Sequence, residues 1–412
     1  MTKATITLSP LQAANTANDS YLLEYNLVEP AKAFKNVKDE FDFSGPKGMQ
    51  GKSGATFYQV ISGFAALGKG RSGQGGSGRF DKHAILAVRG TGKAIDWLSD
   101  FHGGTSPSTT SGHIVHSGFN KIYKSFDTVM SAQLSALYPG EYPTHLHCVG
   151  HSMGGAVAAL AAEWAQARGI QPVLYTFGSP RTGSKPFAKN LTEKIGKDNM
   201  YRCYRTWDPV PHVPVWPFMH HPLVDPDGIH LPSEAILASH SMPGGYLQQL
   251  KGYSNPGYDS LIASSRAPDY RAIDWDNEMR QWNDSRTILN TLVPITNPRT
   301  FIIILKAIGR ILQRAMYVAG LVLGAAAGGV SNTLDLIAMI LEKAAAMNKW
   351  IFSEIQFMLY KMLTAAGFVF DKTKAMTKDF IRWIFNQFLT ILYRFVRTAV
   401  SSQDDGNVWN PN

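Results

Sequence analysis

The 412-residue chain predicts an α/β fold with a mainly parallel sheet, followed by a separate all-helical module. Two observations carry this prediction. From the start to about residue 275, short apolar runs alternate with helical patterns, as strands and their crossover helices do. Beyond Pro298 there is no proline until Pro411, and the intervening residues, rich in Ala, Ile, Leu, Met and Phe, indicate consecutive helices.

Taken in order, the strand candidates are Phe57–Phe64, Ala84–Arg89, His145–Val149, Pro172–Phe177 and Met200–Thr206, with helical patterns at Ser117–Ala136 and Ala156–Arg168. Gly68–Gly78 reads as a flexible hairpin tip. The texture places an α/β domain at residues 1–285 and a linker carrying Pro294 and Pro298 at 286–299. A hydrophobic basic helical module follows at 300–400, with a polar tail at 401–412. Two cysteines, Cys148 and Cys203, fall in apolar strand-like runs and read as small core residues rather than a disulfide. Met1–Ser20 lacks a basic region followed by an apolar one, so no Sec-type signal is expected. Synthesis in the cytoplasm, export by another route and action at a target cell membrane or periplasm are the corresponding expectation.

Gly150-His151-Ser152-Met153-Gly154 lies between the apolar run His145–Val149 and the alanine-rich run Ala156–Ala167. Strand, sharp turn and helix in that order are the setting of a nucleophile elbow, where only residues without bulk fit two positions either side of the nucleophile. With the alternation around it, the elbow narrows the fold to an α/β-hydrolase. A serine hydroxyl is a poor nucleophile near neutral pH and needs a histidine base oriented by a carboxylate. In this fold the order is Ser, acid, His. Asp208 fits the acid, since it follows the strand-like run ending at Thr206 and opens Asp208-Pro209-Val210-Pro211; Asp225 and Asp227 stand behind it. For the base, His212, His220, His221, His230 and His240 all follow Asp208. His240, just before the helical run Tyr246–Leu250, suits the last position best, and His212 lies too close to Asp208. Nothing calls for a cofactor or a metal ion.

Six ordered motifs resemble the class 3, fungal-type lipases over roughly residues 50–250. They are Val88-Arg89-Gly90-Thr91, Asp96-Trp97-Leu98-Ser99-Asp100, Val115-His116-Ser117-Gly118-Phe119, the elbow, Phe177-Gly178-Ser179-Pro180-Arg181 and Asp208-Pro209-Val210-Pro211. The resemblance implies Ser152 as nucleophile, Asp208 as acid and His240 as base. It further implies an oxyanion hole from Thr91 and the backbone N–H of Met153, and a lid at Lys93–Gly104 carrying Trp97 and Phe101. Arg89 and His116 match the motifs but read as structural hydrogen-bonding residues, while Phe119, Trp164 and Trp207 read as core.

The net charge of +9 is uneven. Residues 300–400 hold twelve Lys or Arg against five Asp or Glu, a net of +7. This charge is interleaved with apolar runs and carries no nucleic-acid module, which excludes a nucleic-acid partner and points to an anionic membrane surface. Ala315–Leu334 is uncharged, with Gly320, Gly324 and Gly328 on one face, and reads equally as a membrane span or a soluble helical hairpin. From Phe380 to Val400, Arg382, Asn386, Thr390, Arg394 and Arg397 form a narrow polar stripe on an otherwise apolar helix, suited to a membrane interface or a bundle.

The leading expectation is a lipase or phospholipase A-type serine hydrolase that cleaves carboxylic ester bonds of membrane lipids, phospholipids above all, through an acyl-serine intermediate. In architecture the chain is similar to antibacterial lipase effectors of type VI secretion, which implies a secretion-apparatus component and an immunity protein as partners. Two other readings stay open. One is a membrane-inserting or pore-forming protein with a subordinate lipase-like domain, and the other a soluble esterase with an oligomerisation tail.

Overall fold

The computed structural model describes residues 6–24, 29–53, 60–72, 77–90, 104–214, 218–224, 228–233, 237–255, 257–265, 333–365 and 376–401, with a few single positions between 305 and 315 and Phe368. The chain forms two compact units, Met1–Ser264 with Val396–Asn412, and Ser265–Phe395. The expected linker, Asp225, Asp227, Thr91 and the body of the expected lid all lie outside the described residues, as does the interior of the uncharged run 315–334.

The first unit has the α/β-hydrolase fold. Its strands in chain order are β1 (Phe41–Asp42), β2 (Met49–Ser53), β3 (Val60–Gly70), β4 (His83–Val88), β5 (Thr105–Pro107), β6 (Ile114–His116), β7 (His145–His151), β8 (Gln171–Phe177), β9 (Gly183–Ser184), β10 (Met200–Arg205), β11 (Phe218–Met219) and β12 (Ile229–Leu231). The main sheet runs β1-β3-β4-β7-β8-β10-β12, with β2 also pairing β3; β4, β7, β8, β10 and β12 are parallel, whereas β1, β2 and β3 join antiparallel. A second, four-stranded sheet has the order β11-β9-β6-β5.

The strands are buried along nearly their whole length, as parallel strands covered on both faces must be. The elbow helix Met153–Gln166 is buried from Met153 to Ala165, and its small side chains allow a close approach to the sheet. On the sheet's other side, Leu8, Ala13, Ala14 and Ala17 of the N-terminal segment join Tyr175, Phe177 and Tyr246 in one apolar cluster. In register, Val88 faces Gly150, His151 faces Phe177, and Phe177 faces Cys203. The carboxyl ends of β4, β7, β8 and β10 therefore lie along one edge of the sheet, where open α/β sheets hold their ligands.

Three local details differ from expectation. The helix expected over Ser117–Ala136 is two helices, Ser117–Lys124 and Asp127–Leu137, because the Ser125 hydroxyl donates to the Ile122 carbonyl and ends the first. Strand β3 continues through Gly68 to Gly70, so the glycine-rich stretch begins inside the sheet. The helical run expected at Tyr246–Leu250 opens earlier, with a wide turn over Met242–Tyr246 before the α-helical turn Leu247–Leu250. Both cysteines are free and fully buried. Burial pushes the Cys203 thiol up to about 12 and Cys148 higher still.

The second unit is helical where described. Thr333–Met347 and Lys349–Ala365 are joined at Asn348, whose Oδ1 accepts from the Trp350 and Ile351 N–H groups at 2.9 and 3.2 Å and so caps the second helix. The third helix spans Lys378–Ser401 and buries Ile381, Ile384, Phe385, Phe388 and Leu389, with Arg382 paired to Asp335 at 3.1 Å. Trp350, Phe368 and Trp383 are 58%, 40% and 42% exposed. Among the described residues no helix is long and apolar enough to cross a membrane.

Candidate active site

Strand β7 ends at His151, and the chain turns so sharply that Ser152 takes φ 55° and ψ −136° before the helix begins at Met153. A non-glycine residue in such a conformation stores on the order of 1–3 kcal/mol of strain, and surrounding contacts must hold it. The Ser152 N–H donates to the Phe177 carbonyl at 2.9 Å, tying the turn to the next strand. The flanking glycines are required by space: a Cβ on Gly150 would strike the Gly154 carbonyl, and one on Gly154 would strike the Val88 carbonyl.

Against this serine the fold sets a histidine and an aspartate from two later loops. His240 ends a short 3-10 turn, Leu237–His240, and its Nε2 accepts from the Ser152 hydroxyl at 2.9 Å. Its Nδ1–H faces both oxygens of Asp208 at 2.9 Å. Asp208 is fully buried and follows β10. Its Oδ1 also accepts from the Val210 N–H at 2.9 Å, and Oδ2 from the Tyr246 hydroxyl at 2.6 Å. These donors fix the direction of the carboxylate. Burial pushes the Tyr246 hydroxyl well above its ordinary range, and the adjacent Asp208 charge adds to the shift, so Tyr246 stays a donor. The histidine loop is fixed by Arg205, whose guanidinium donates to the Ser239 carbonyl at 3.1 Å and to Gln249 at 3.0 Å.

The other histidines considered from sequence lie elsewhere. His220 donates through Nε2 to the Pro211 carbonyl at 2.7 Å, and burial holds it well below its ordinary pKa. His230 meets the Thr206 hydroxyl at 2.8 Å, His221 is buried beside Phe187, and the His212 carbonyl accepts from Arg181. Met153 is the first helical residue after the nucleophile. Arg89 lies over the Tyr21 and Phe64 rings at 5.4 Å, and His116 packs on Phe119 and Phe218. Phe119 and Trp164 are core; Trp207 is half-buried, with its backbone N–H donating to Ser233.

Sequence reasoning missed Tyr246, Tyr21, and the part played by His151. Their partners lie 38 and 130 residues away in the chain, so no local spacing announces them. The described residues contain no cluster of His, Cys, Asp or Glu able to hold a metal ion.

Ser152, His240 and Asp208 thus stand in line, in the geometry that a nucleophile, its base and an orienting acid would need. Residues 85–218 match the family described as Lipase (class 3). The chain is 34% identical over 134 residues to secreted mono- and diacylglycerol lipase 1 of Fusarium solani, covering 32% of this chain and 40% of that protein. It is 33% identical over 135 residues to secreted mono- and diacylglycerol lipase A of Penicillium cyclopium, covering 32% and 43%. Phospholipase A(1) DAD1, chloroplastic, of Arabidopsis thaliana is 30% identical over 154 residues, covering 32% and 34%. The chain thus spans less than half the length of these relatives. Among solved structures, the Rhizomucor miehei lipase propeptide complex is similar at 22% identity and a TM-score of 0.39, covering 54% of this chain and 66% of that one.

Proposed function

We propose that this protein is a lipase that hydrolyses carboxylic ester bonds of membrane lipids, phospholipids first among them, through an acyl-serine intermediate. The observation that carries the reading is the line from Asp208 through His240 to Ser152, each contact 2.9 Å long. Ser152 Oγ attacks the ester carbonyl carbon while its proton passes to His240 Nε2, and Asp208 stabilises the imidazolium that forms. The oxyanion falls to the Met153 N–H and, by the resemblance, to Thr91; in other enzymes one such donor accounts for about 100- to 1000-fold in turnover. His240 returns the proton to the leaving alkoxide. Water, deprotonated by the same base, then cleaves the acyl-serine to release the fatty acid.

The mono- and diacylglycerol lipases and the phospholipase A(1) among its relatives support an acylglycerol substrate. The net charge of +7 in residues 300–400 and the exposed Trp350, Phe368 and Trp383 support recruitment to an anionic bilayer. The same basic helical unit suits an antibacterial secreted effector, held harmless in its producer by an immunity protein. Periplasmic expression of wild type, with and without Ser152→Ala, tests that setting.

The enzymatic test is fatty-acid release from anionic phospholipid vesicles, read by mass spectrometry. Wild type is expected to release fatty acid and Ser152→Ala none. Equal release by both proteins would overturn the reading, and dye leakage caused equally by both would give the effect to the helical unit instead.

A further inference from the structure

The N-terminal segment reaches the site through one side chain. The helix Pro10–Asp19 leads into Tyr21, whose hydroxyl lies 2.6 Å from His151 Nδ1. His151 Nε2 lies 2.9 Å from the backbone carbonyl of His240, and the two imidazoles pack with centroids 4.6 Å apart. His151 is fully buried, and desolvation, with His240 adding to it, holds it well below its ordinary pKa.

These contacts determine where the protons are. A neutral imidazole carries one N–H, and a carbonyl only accepts. The proton of His151 is therefore on Nε2, donated to His240; Nδ1 is a lone pair, and the Tyr21 hydroxyl donates into it. Gly90 makes room for that hydroxyl, since a Cβ there would strike it and lie 2.8 Å from the His151 carbonyl.

We propose that Tyr21 and His151 form a positioning relay for His240, acting through its backbone carbonyl rather than through its ring nitrogens. The relay does two things. It pins the His240 backbone at the end of its 3-10 turn, so that Nε2 stays in line with Ser152. It also favours an uncharged neighbouring ring: a second proton on Nδ1 would displace the O–H that Tyr21 donates there. A neutral ring then sits beside His240 at the moment His240 becomes an imidazolium, when a second cation would oppose it. The positioning rests on the proposed serine chemistry, whereas the proton placement does not.

The experiment is Tyr21→Phe in the full chain, a change that keeps the ring and removes only the hydroxyl. Turnover is measured per active site titrated with a fluorophosphonate, which removes any effect of partial misfolding. We expect kcat per titrated site to fall about tenfold with KM within about twofold. Nitrogen-15 histidine NMR gives the independent readout. Wild-type His151 should show a protonated Nε2 and a hydrogen-bonded Nδ1, and in Tyr21→Phe the Nδ1 resonance should move to that of a bare lone pair. Unchanged turnover per titrated site, or a His151 protonated on Nδ1, would overturn the relay. A wild-type protein that takes up no fluorophosphonate at Ser152 would instead sink the serine chemistry, leaving the NMR result to decide the proton placement alone.

Discussion

Gly178 follows β8 with φ +57°, and it gives the sharpest prediction on the site. A Cβ placed there would lie 2.6 Å from Asp208 Oδ2, 3.0 Å from the Tyr246 hydroxyl and 3.1 Å from His240 Nδ1. Gly178→Ala therefore acts twice. The left-handed backbone costs about 1–2 kcal/mol with any side chain. The methyl group must also drive the Asp208 oxygen back by roughly 0.8 Å to reach ordinary contact, breaking the alignment of the acid with the base, and a displacement near 1 Å in an active site is worth about 100-fold in rate. The control is Gly169→Ala, at φ +77° with nothing within 4 Å, which carries the backbone strain without the clash. Gly178→Ala should lose more stability than Gly169→Ala in a thermal melt, and kcat on a soluble p-nitrophenyl ester, measured where both are folded, should collapse about 100-fold in Gly178→Ala alone. Should Gly178→Ala keep the kcat of Gly169→Ala, the packing of this glycine against Asp208 would not be what aligns the acid.

Tyr246→Phe removes the 2.6 Å hydrogen bond to Asp208 Oδ2, and a bond to a charged group is worth about 1.5–3 kcal/mol, so kcat/KM should fall about 10- to 100-fold. Unchanged kcat/KM would show that His240 and Val210 alone hold the carboxylate. A pH effect comes from the opposite end of the sheet, where His83 Nδ1 meets His147 Nε2 at 2.9 Å and His83 stacks on His145 at 4.2 Å. Burial, helped by His145 and Arg79, lowers His83 from 6.5 to about 4, and burial also lowers His147 and His145. A histidine with a depressed folded pKa leaves the unfolded chain binding more protons below pH 6.5, so its stabilisation is complete above that pH and drains away as the pH falls toward 4. Asp19 works the other way, its pKa raised to about 6 by burial, and its contribution grows as the pH drops from 6 to 3.8. Thermal melts from pH 7 to 4 should therefore show a flatter acid loss in His83→Gln than in wild type; parallel curves would refute the histidine origin.

Much of the fold was legible because its signals are local. The alternation of apolar strands with helical patterns named an α/β sheet, and the glycines around Ser152 announced the elbow, since both depend on neighbours within a few residues. The two-helix break at Ser125 was not legible, because the same apolar periodicity runs through both halves and only a hydroxyl-to-carbonyl bond divides them. For the site, chain order singled out Asp208 and favoured His240 among five histidines, but order alone does not aim a ring.

By itself, then, the sequence determined the strand-elbow-helix unit, the glycines it needs, and the basic, proline-free character of the last hundred residues. Only the tertiary structure decided which histidine meets Ser152, that Tyr246 shares the Asp208 carboxylate, and that Tyr21 reaches His151 across 130 residues. The reason is physical. A turn is written in the conformational limits of the residues that make it, whereas a hydrogen bond between distant loops exists only once the parallel register of β7, β8 and β10 has brought their ends to one edge.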